Sequence, residues 1–251
     1  MTDYNPFSLR GKTILVTGAS SGIGKSIAVE CSKMGADVVI TARNSERLQE
    51  TANLLDSIKY PPVIADLTNA VDIESLANQI PELDGLVLCA GRALTAPVKQ
   101  ATPEKYQEVM KTNFYAQAEL LRVLYKKKRL KNGSSVVIIS SIGGLFLYEP
   151  GNVIYGVSKA ALNSFMKYAA KEYAIRSVRV NSICPGMIDT PMIHRGTFTD
   201  EQLQAYMANY PLKRFGNPED VAFASIYLLS DAASWVTGSS IVIDGGSAIK
   251  S

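Results

Sequence analysis

Tyr155 and Lys159, in the run Tyr155-Gly156-Val157-Ser158-Lys159, are a phenol and an amine four positions apart. On a helix such a pair shares one face, so both side chains can reach the same cleft. A free phenol has a pKa of about 10. A neighbouring ammonium group favours the phenolate and is expected to lower that value. Such a phenol can protonate a forming alkoxide, or accept a proton from an alcohol, near neutral pH. This is the acid–base half of a carbonyl–alcohol interconversion. The spacing alone is common on ordinary helices, so its weight depends on what surrounds it.

Two other positions belong with the pair. Ser140-Ser141 close an apolar, β-branched run, where a hydroxyl can hold a substrate oxygen. Asn113, in Thr112-Asn113-Phe114, falls inside a helical pattern, where asparagine is a poor interior choice. Its side-chain amide is expected to order a water that relays protons to Lys159. Ser141, Tyr155, Lys159 and Asn113 are therefore the candidate catalytic residues.

A glycine-rich segment, Gly18-Ala19-Ser20-Ser21-Gly22-Ile23-Gly24, follows a short apolar run and opens a helical pattern. Glycines let backbone approach a pyrophosphate, and a helix N-terminus stabilises its charge. The spacing is G-x-x-x-G-x-G, not the common G-x-G-x-x-G. The second apolar run ends Thr41-Ala42-Arg43. A carboxylate there would bind the ribose hydroxyls of NAD and repel a 2′-phosphate. Here Arg43 offers a cationic fork, with Ser20 and Ser21 as further donors. The expected cofactor is NADP(H).

The elements that must position these residues follow from apolar periodicity. Short apolar runs predict strands at Thr13–Thr17, Asp37–Thr41, Val63–Asp66, Leu86–Cys89, Ser135–Ser140, Arg179–Ile183 and Ile241–Ile243. Helical spacing predicts Ile23–Met34, a helix capped by Ser45 and running through Leu55, Glu104–Leu130 with a break near Thr112, and Ile154–Ala174. Strand–helix alternation over the chain implies a parallel sheet with helices on both faces. The expected fold is a single α/β domain spanning 1–251, a doubly wound, Rossmann-type sheet of seven strands. Segment 186–211 has weak sheet character and reads as a lid, with a short helix at Asp200–Ala208.

These motifs together resemble the short-chain dehydrogenase/reductase family, from about Gly11 to Gly246. The resemblance rests on Thr17–Gly24, Asp66-Leu67, Ala90-Gly91, Asn113, Ser141, Tyr155 with Lys159, Pro185-Gly186 with Thr190, and Asp244-Gly245-Gly246. It implies that Asp66 contacts the adenine and that Leu67, Ala90 and Gly91 flank the cofactor. It implies that Lys159 also holds the nicotinamide ribose, and that Pro185, Gly186, Ile188 and Thr190 surround the carboxamide. The branch it resembles is that of the 3-oxoacyl-(acyl-carrier-protein) reductases. That implies a carbonyl substrate carried on an acyl carrier protein, and a homotetramer or homodimer built on the two long helices. Oxidation of a steroid or sugar alcohol, and cofactor sensing without turnover, remain the alternatives. Two departures stand out. Cys89 occupies a position usually held by asparagine, and the interval from Ser141 to Tyr155 is one residue longer than usual.

Bulk properties exclude other classes. The net charge of +3 is too small to indicate nucleic-acid binding. The run Lys126-Lys127-Lys128-Arg129 with Lys131 reads as a solvated helix end, or as a docking patch for an acidic carrier. Cys31, Cys89 and Cys184 are scattered and His194 is the lone histidine, so no metal site is expected. No membrane span or leader is apparent, and a cytoplasmic protein is expected. His194 reads as a surface residue. Trp235 and Tyr227 read as packing residues. Met187, Met192, Phe198, Tyr206, Met207 and Tyr210 make the lid apolar.

Overall fold

The computed structural model of the protein describes residues 4–194 and 199–249. Its seven strands are β1 (Thr13–Thr17), β2 (Asp37–Ala42), β3 (Val63–Ile64), β4 (Leu83–Leu88), β5 (Leu130–Ile139), β6 (Arg179–Pro185) and β7 (Ser240–Ile243). All pair in parallel, in the order β3-β2-β1-β4-β5-β6-β7. The chain reverses direction across the sheet between β1 and β4, where a doubly wound sheet opens its ligand crevice.

Alternation along the strands divides the core into two layers. Leu15, Val39, Leu86, Leu88, Val136 and Ile138 face one side. There they meet α3 (Ala70–Gln79), α5 (Ala116–Lys126) and α6 (Val153–Tyr173). Ile14, Val16, Val38, Ile40, Val87 and Val137 face the other. There they meet α1 (Gly22–Lys33), α2 (Ser45–Ala52) and α8 (Pro218–Leu229). Val109 of α4 (Pro103–Met110) packs with Ile154 in a smaller cluster beside the site.

The long helix expected over Glu104–Leu130 is broken where anticipated, but by a widened turn. Lys111–Tyr115 is π-helical and joins α4 to α5. α5 ends at Lys126, and Lys128 takes a left-handed φ of 57° before Leu130 opens β5. The basic run therefore lies at the edge of the sheet opposite the site. Lys127 pairs with Glu74 at 2.8 Å and Lys131 with Asp84 at 2.8 Å.

Other expectations need correction. Asn44, not Ser45, caps α2, accepting from the Arg47 amide at 2.8 Å, and the helix stops at Ala52. β3 is only Val63–Ile64. β4 begins three residues earlier than expected, because Leu83 pairs with Leu130 across a register shift. Trp235 does not pack: it is 98% exposed. Tyr227 does, half-buried against Phe7 at 6.3 Å. α7 (Asp200–Ala208) falls where expected. Phe198, counted with the lid, lies outside the described residues.

Candidate active site

The site gathers along the C-terminal ends of β1, β4, β5 and β6. At the end of β1, Gly18 turns with a φ of +65°. A Cβ there would stand 2.9 Å from the Ala90 Cα. At Gly24 a Cβ would stand 2.4 Å from the Gly18 carbonyl oxygen. Loop and helix thus approach so closely that only glycine fits either position. Ser21 is the N-cap of α1, yet its hydroxyl makes no cap hydrogen bond. The first-turn amides and this hydroxyl are the donor set an anion needs at a helix N-terminus. Ser20, Ser21, Gly22 and Ile23 are half-buried. Thr190 packs over the loop, its methyl 3.2 Å from a Cβ placed on Gly22. These residues fit a dinucleotide's phosphates.

The adenosine end is also assembled. Ala65 donates to the Ala42 carbonyl at 3.1 Å, which places Asp66 beside Arg43. Burial pushes the Asp66 carboxyl up. Hydrogen bonds from the Thr68 amide and hydroxyl, with the charges of Arg43 and Lys111, outweigh this and hold it below the usual carboxylate range. Arg43 is exposed, and no carboxylate follows it until Glu46. The Leu67 side chain is buried in the core, which leaves its backbone as the part that can face a cofactor.

Thr17 organises the centre. Its hydroxyl donates to the Val87 carbonyl at 3.2 Å and accepts from the amides of Cys89 and Ala90 at 3.0 and 3.2 Å. This one hydroxyl fixes the β4 exit, so the strand ends stay tied although Cys89 replaces the usual asparagine. Burial pushes the Cys89 thiol up to about 12, which leaves it protonated and inert.

Asn113 sits in the π-turn, wholly buried. Its amide oxygen accepts from the Arg92 amide at 2.8 Å. Its amide nitrogen donates to the Arg92 carbonyl and to Ser158 Oγ, both at 2.9 Å. Asn113 therefore clamps the chain after β4 onto the catalytic helix. The side-chain amide expected to order a water already makes these three hydrogen bonds within the protein.

Tyr155, Ser158 and Lys159 lie on the first two turns of α6. The ends of β5 and α6 hold each other. Lys159 Nζ donates to the Ile139 carbonyl at 2.8 Å, and Ser140 Oγ donates to the Lys159 carbonyl at 3.1 Å. Contact is tight enough that a Cβ on Gly144 would stand 2.7 Å from Lys159 backbone. One on Gly156 would stand 2.8 Å from the Gly143 carbonyl oxygen. Ser141 accepts from the Gly143 amide at 3.1 Å and stands beside the Tyr155 phenol.

The electrostatics differ from the sequence expectation. Burial pushes the Tyr155 phenol up to about 12, and only the Ser141 hydroxyl opposes it. Burial also pulls Lys159 down to about 8. The ammonium, expected to lower the phenol, is itself so poorly solvated that desolvation dominates both groups. The protein alone holds the phenol as a proton donor.

Pro185 ends β6, and the Gly186 amide donates to Ile243 at 2.9 Å. Ile188 is buried and bridges Gly216, while Thr190 Oγ1 donates to the Ile188 carbonyl at 3.4 Å. The lid has its own core of Leu203, Tyr210 and Phe215, with Met187, Tyr206 and Met207 against it. Most of its apolar residues are thus spent internally. Tyr206 also lies near Glu149 of the β5–α6 loop, which brings the two substrate-side segments together. His194 is half-exposed and pairs with Asp189 at 2.6 Å. Among the described residues no group of histidines, cysteines and acids could hold a metal, and no helix is long and apolar enough to cross a membrane.

The structure brings together Gly18–Gly24, Arg43, Asp66, Ala90, Gly91, Asn113, Ser141, Tyr155, Lys159, Pro185, Gly186, Ile188 and Thr190. Sequence reasoning missed Thr17 as a hub and Gly144 and Gly156 as close-approach positions. The Gly143-Gly144 pair just after Ser141 was the available signal.

Comparison with known proteins agrees. A family model described as enoyl-(acyl carrier protein) reductase matches residues 18–248. A 3-oxoacyl-[acyl-carrier-protein] reductase of Rickettsia felis is 36% identical over 238 residues, covering 95% of this chain and 97% of that one. A short-chain type dehydrogenase/reductase from Mycobacterium marinum superposes with a TM-score of 0.90 at 30% identity, over 96% of this chain and 97% of that chain. A putative NAD(P)-dependent gluconate 5-dehydrogenase from Beutenbergia cavernae, solved with bound NADP, superposes with a TM-score of 0.87 at 32% identity, over 97% of this chain and 99% of that chain. With its seven-stranded sheet, glycine-lined loop and serine–tyrosine–lysine centre, the chain belongs to the short-chain dehydrogenase/reductase family of oxidoreductases, which act on carbonyl and alcohol groups.

Proposed function

We propose that the protein is an NADPH-dependent ketone reductase whose substrate is a 3-oxoacyl thioester. One observation carries the chemistry. The Tyr155 phenol stands beside the Ser141 hydroxyl and is held protonated near Lys159. The thioester rests on the likeness to the Rickettsia reductase. The cofactor choice rests on Arg43 standing where an NAD-selective site would carry an acid.

When bound, the reduced nicotinamide supplies the hydride. The Ser141 hydroxyl and the Tyr155 phenol both donate to the substrate carbonyl oxygen and fix it at the end of β5. As negative charge develops on that oxygen, Tyr155 transfers its proton there. Lys159 stabilises the phenolate left behind, and its charge grows in value because the site is poorly solvated. Asn113 keeps the catalytic helix in register through Ser158. Alcohol oxidation is the same sequence reversed.

A homotetramer or homodimer built on α4–α5 and α6 belongs to the same proposal. Tyr115, Val157 and Tyr168 are large apolar side chains exposed on that face. Sedimentation tests it, and a monomer at working concentration would refute it.

The functional experiment is NADPH consumption by the purified protein with acetoacetyl thioesters of acyl carrier protein and of coenzyme A. Steady turnover, lost in Tyr155→Phe, is expected. Full turnover by Tyr155→Phe would overturn the mechanism. Turnover on other ketones alone would overturn the thioester assignment.

A further inference from the structure

The edge of the sheet opposite Tyr155 carries a second depression. Lys12 before β1, Arg179 opening β6, the turn after α6 and the α8–β7 connection enclose a groove of about 480 Å³. That is the size of a small-molecule site. None of its residues takes part in the chemistry above.

Its lining is unusual in two ways. Trp235, the chain's sole tryptophan, is 98% exposed on the rim. An indole fully in water is a large apolar surface without a partner. Arg179 is half-buried, yet its guanidinium reaches only backbone carbonyls, Val236 at 3.4 Å and Ser230 at 3.3 Å. It forms no ion pair among the described residues. Lys12, by contrast, is neutralised by Asp231 at 2.7 Å. The groove therefore sets two cations, Lys12 and Arg179, against the one carboxylate of Asp231, whose charge also acts on Arg179. Hydroxyls of Ser177, Ser234 and Thr237 line it as well.

A desolvated guanidinium held by two long hydrogen bonds is improved by an oxyanion that accepts from its fork. A flat ring on that anion would cover the indole at the same time. Neither Trp235 nor Arg179 contributes to the catalytic centre. We propose that this groove is a second binding site, for a small aromatic oxyanion whose ring stacks on Trp235 and whose anionic group pairs with Arg179.

The lone tryptophan makes the test direct. Protein saturated with NADP⁺, so that the cofactor site is filled, is titrated with phenyl phosphate while Trp235 emission is followed. Inorganic phosphate and phenol serve as half-ligand controls. A saturable change is expected, with phenyl phosphate binding at least about ten-fold more tightly than either control. Arg179→Gln should abolish it. Should that variant fold poorly, Ser234→Glu on the exposed rim places a carboxylate in the groove and should also abolish it, with carbonyl turnover unchanged. Three results would overturn the proposal. They are no saturable response, a response that survives Ser234→Glu, or a Trp235 already shielded from acrylamide quenching because a second copy covers it.

Discussion

Lys159 Nζ lies 5.6 Å from the centre of the Tyr155 ring, but its hydrogen bond goes to the Ile139 carbonyl at 2.8 Å. The lysine is thus anchored to β5 and acts on the phenol through its charge. Burial has pulled its pKa to about 8, so that charge is lost within the working pH range.

Carbonyl reduction should therefore depend on pH through Lys159. The cation is present below about 8 and disappears above it. We expect kcat/KM to be level at lower pH and to fall as pH rises through that value. In Lys159→Arg, which stays charged, the rate should drop but the alkaline fall should move to higher pH. A pH–rate profile unchanged in position would remove Lys159 from that limb.

The same burial costs stability. The folded pKa of Lys159 lies below its ordinary 10.5, so between about 8 and 10.5 the unfolded chain binds more protons. Stability linked to this group thus rises with pH across that window. Lys159→Met should stabilise the cofactor-free protein by ~1–3 kcal/mol at neutral pH, while abolishing turnover. The advantage should shrink above pH ~10. Thermal melts across pH check both statements.

Arg43→Asp should invert cofactor preference. NADPH affinity should fall at least about ten-fold relative to NADH, or about 1.4 kcal/mol. Calorimetric titration of both cofactors decides it, and an unchanged ratio would remove Arg43 from 2′-phosphate recognition.

Thr17→Val keeps the shape of the side chain and deletes the hydroxyl that serves three partners. It leaves the Cys89 and Ala90 amides without that acceptor. The expected loss is ~1–3 kcal/mol in denaturant unfolding, with Thr17→Ser close to wild type. Equal stability of all three proteins would show that the hub is dispensable.

Most of the sheet was legible because β-branched, apolar runs bounded by glycine or proline are unambiguous in a parallel fold. The chemistry was legible because Tyr155, Lys159, Ser141 and the glycine loop each carry a local signal. What stayed hidden depends on neighbours distant in sequence. Thr17 looks like any strand threonine until β4 lies beside it. Gly144 and Gly156 are explained only by the approach of the β5–α6 loop to α6. Burial set the pKa directions of Tyr155 and Lys159, and spacing says nothing about burial. Trp235 was misplaced for the converse reason: an apolar residue predicts a partner that the fold does not supply.

The π-turn at Lys111–Tyr115 has a consequence for which changes in chain length this protein tolerates. Each residue of an ordinary helix advances about 100° around its axis. Deleting one residue from 111–115 would let α4 run into α5 as regular helix, turning one relative to the other by about that angle. Asn113 would then leave Arg92 and Ser158 together, although every side chain in the clamp was still encoded. Substitutions in this segment should be graded in effect, whereas a single-residue deletion should be all-or-none. The segment is read by its count as much as by its chemistry.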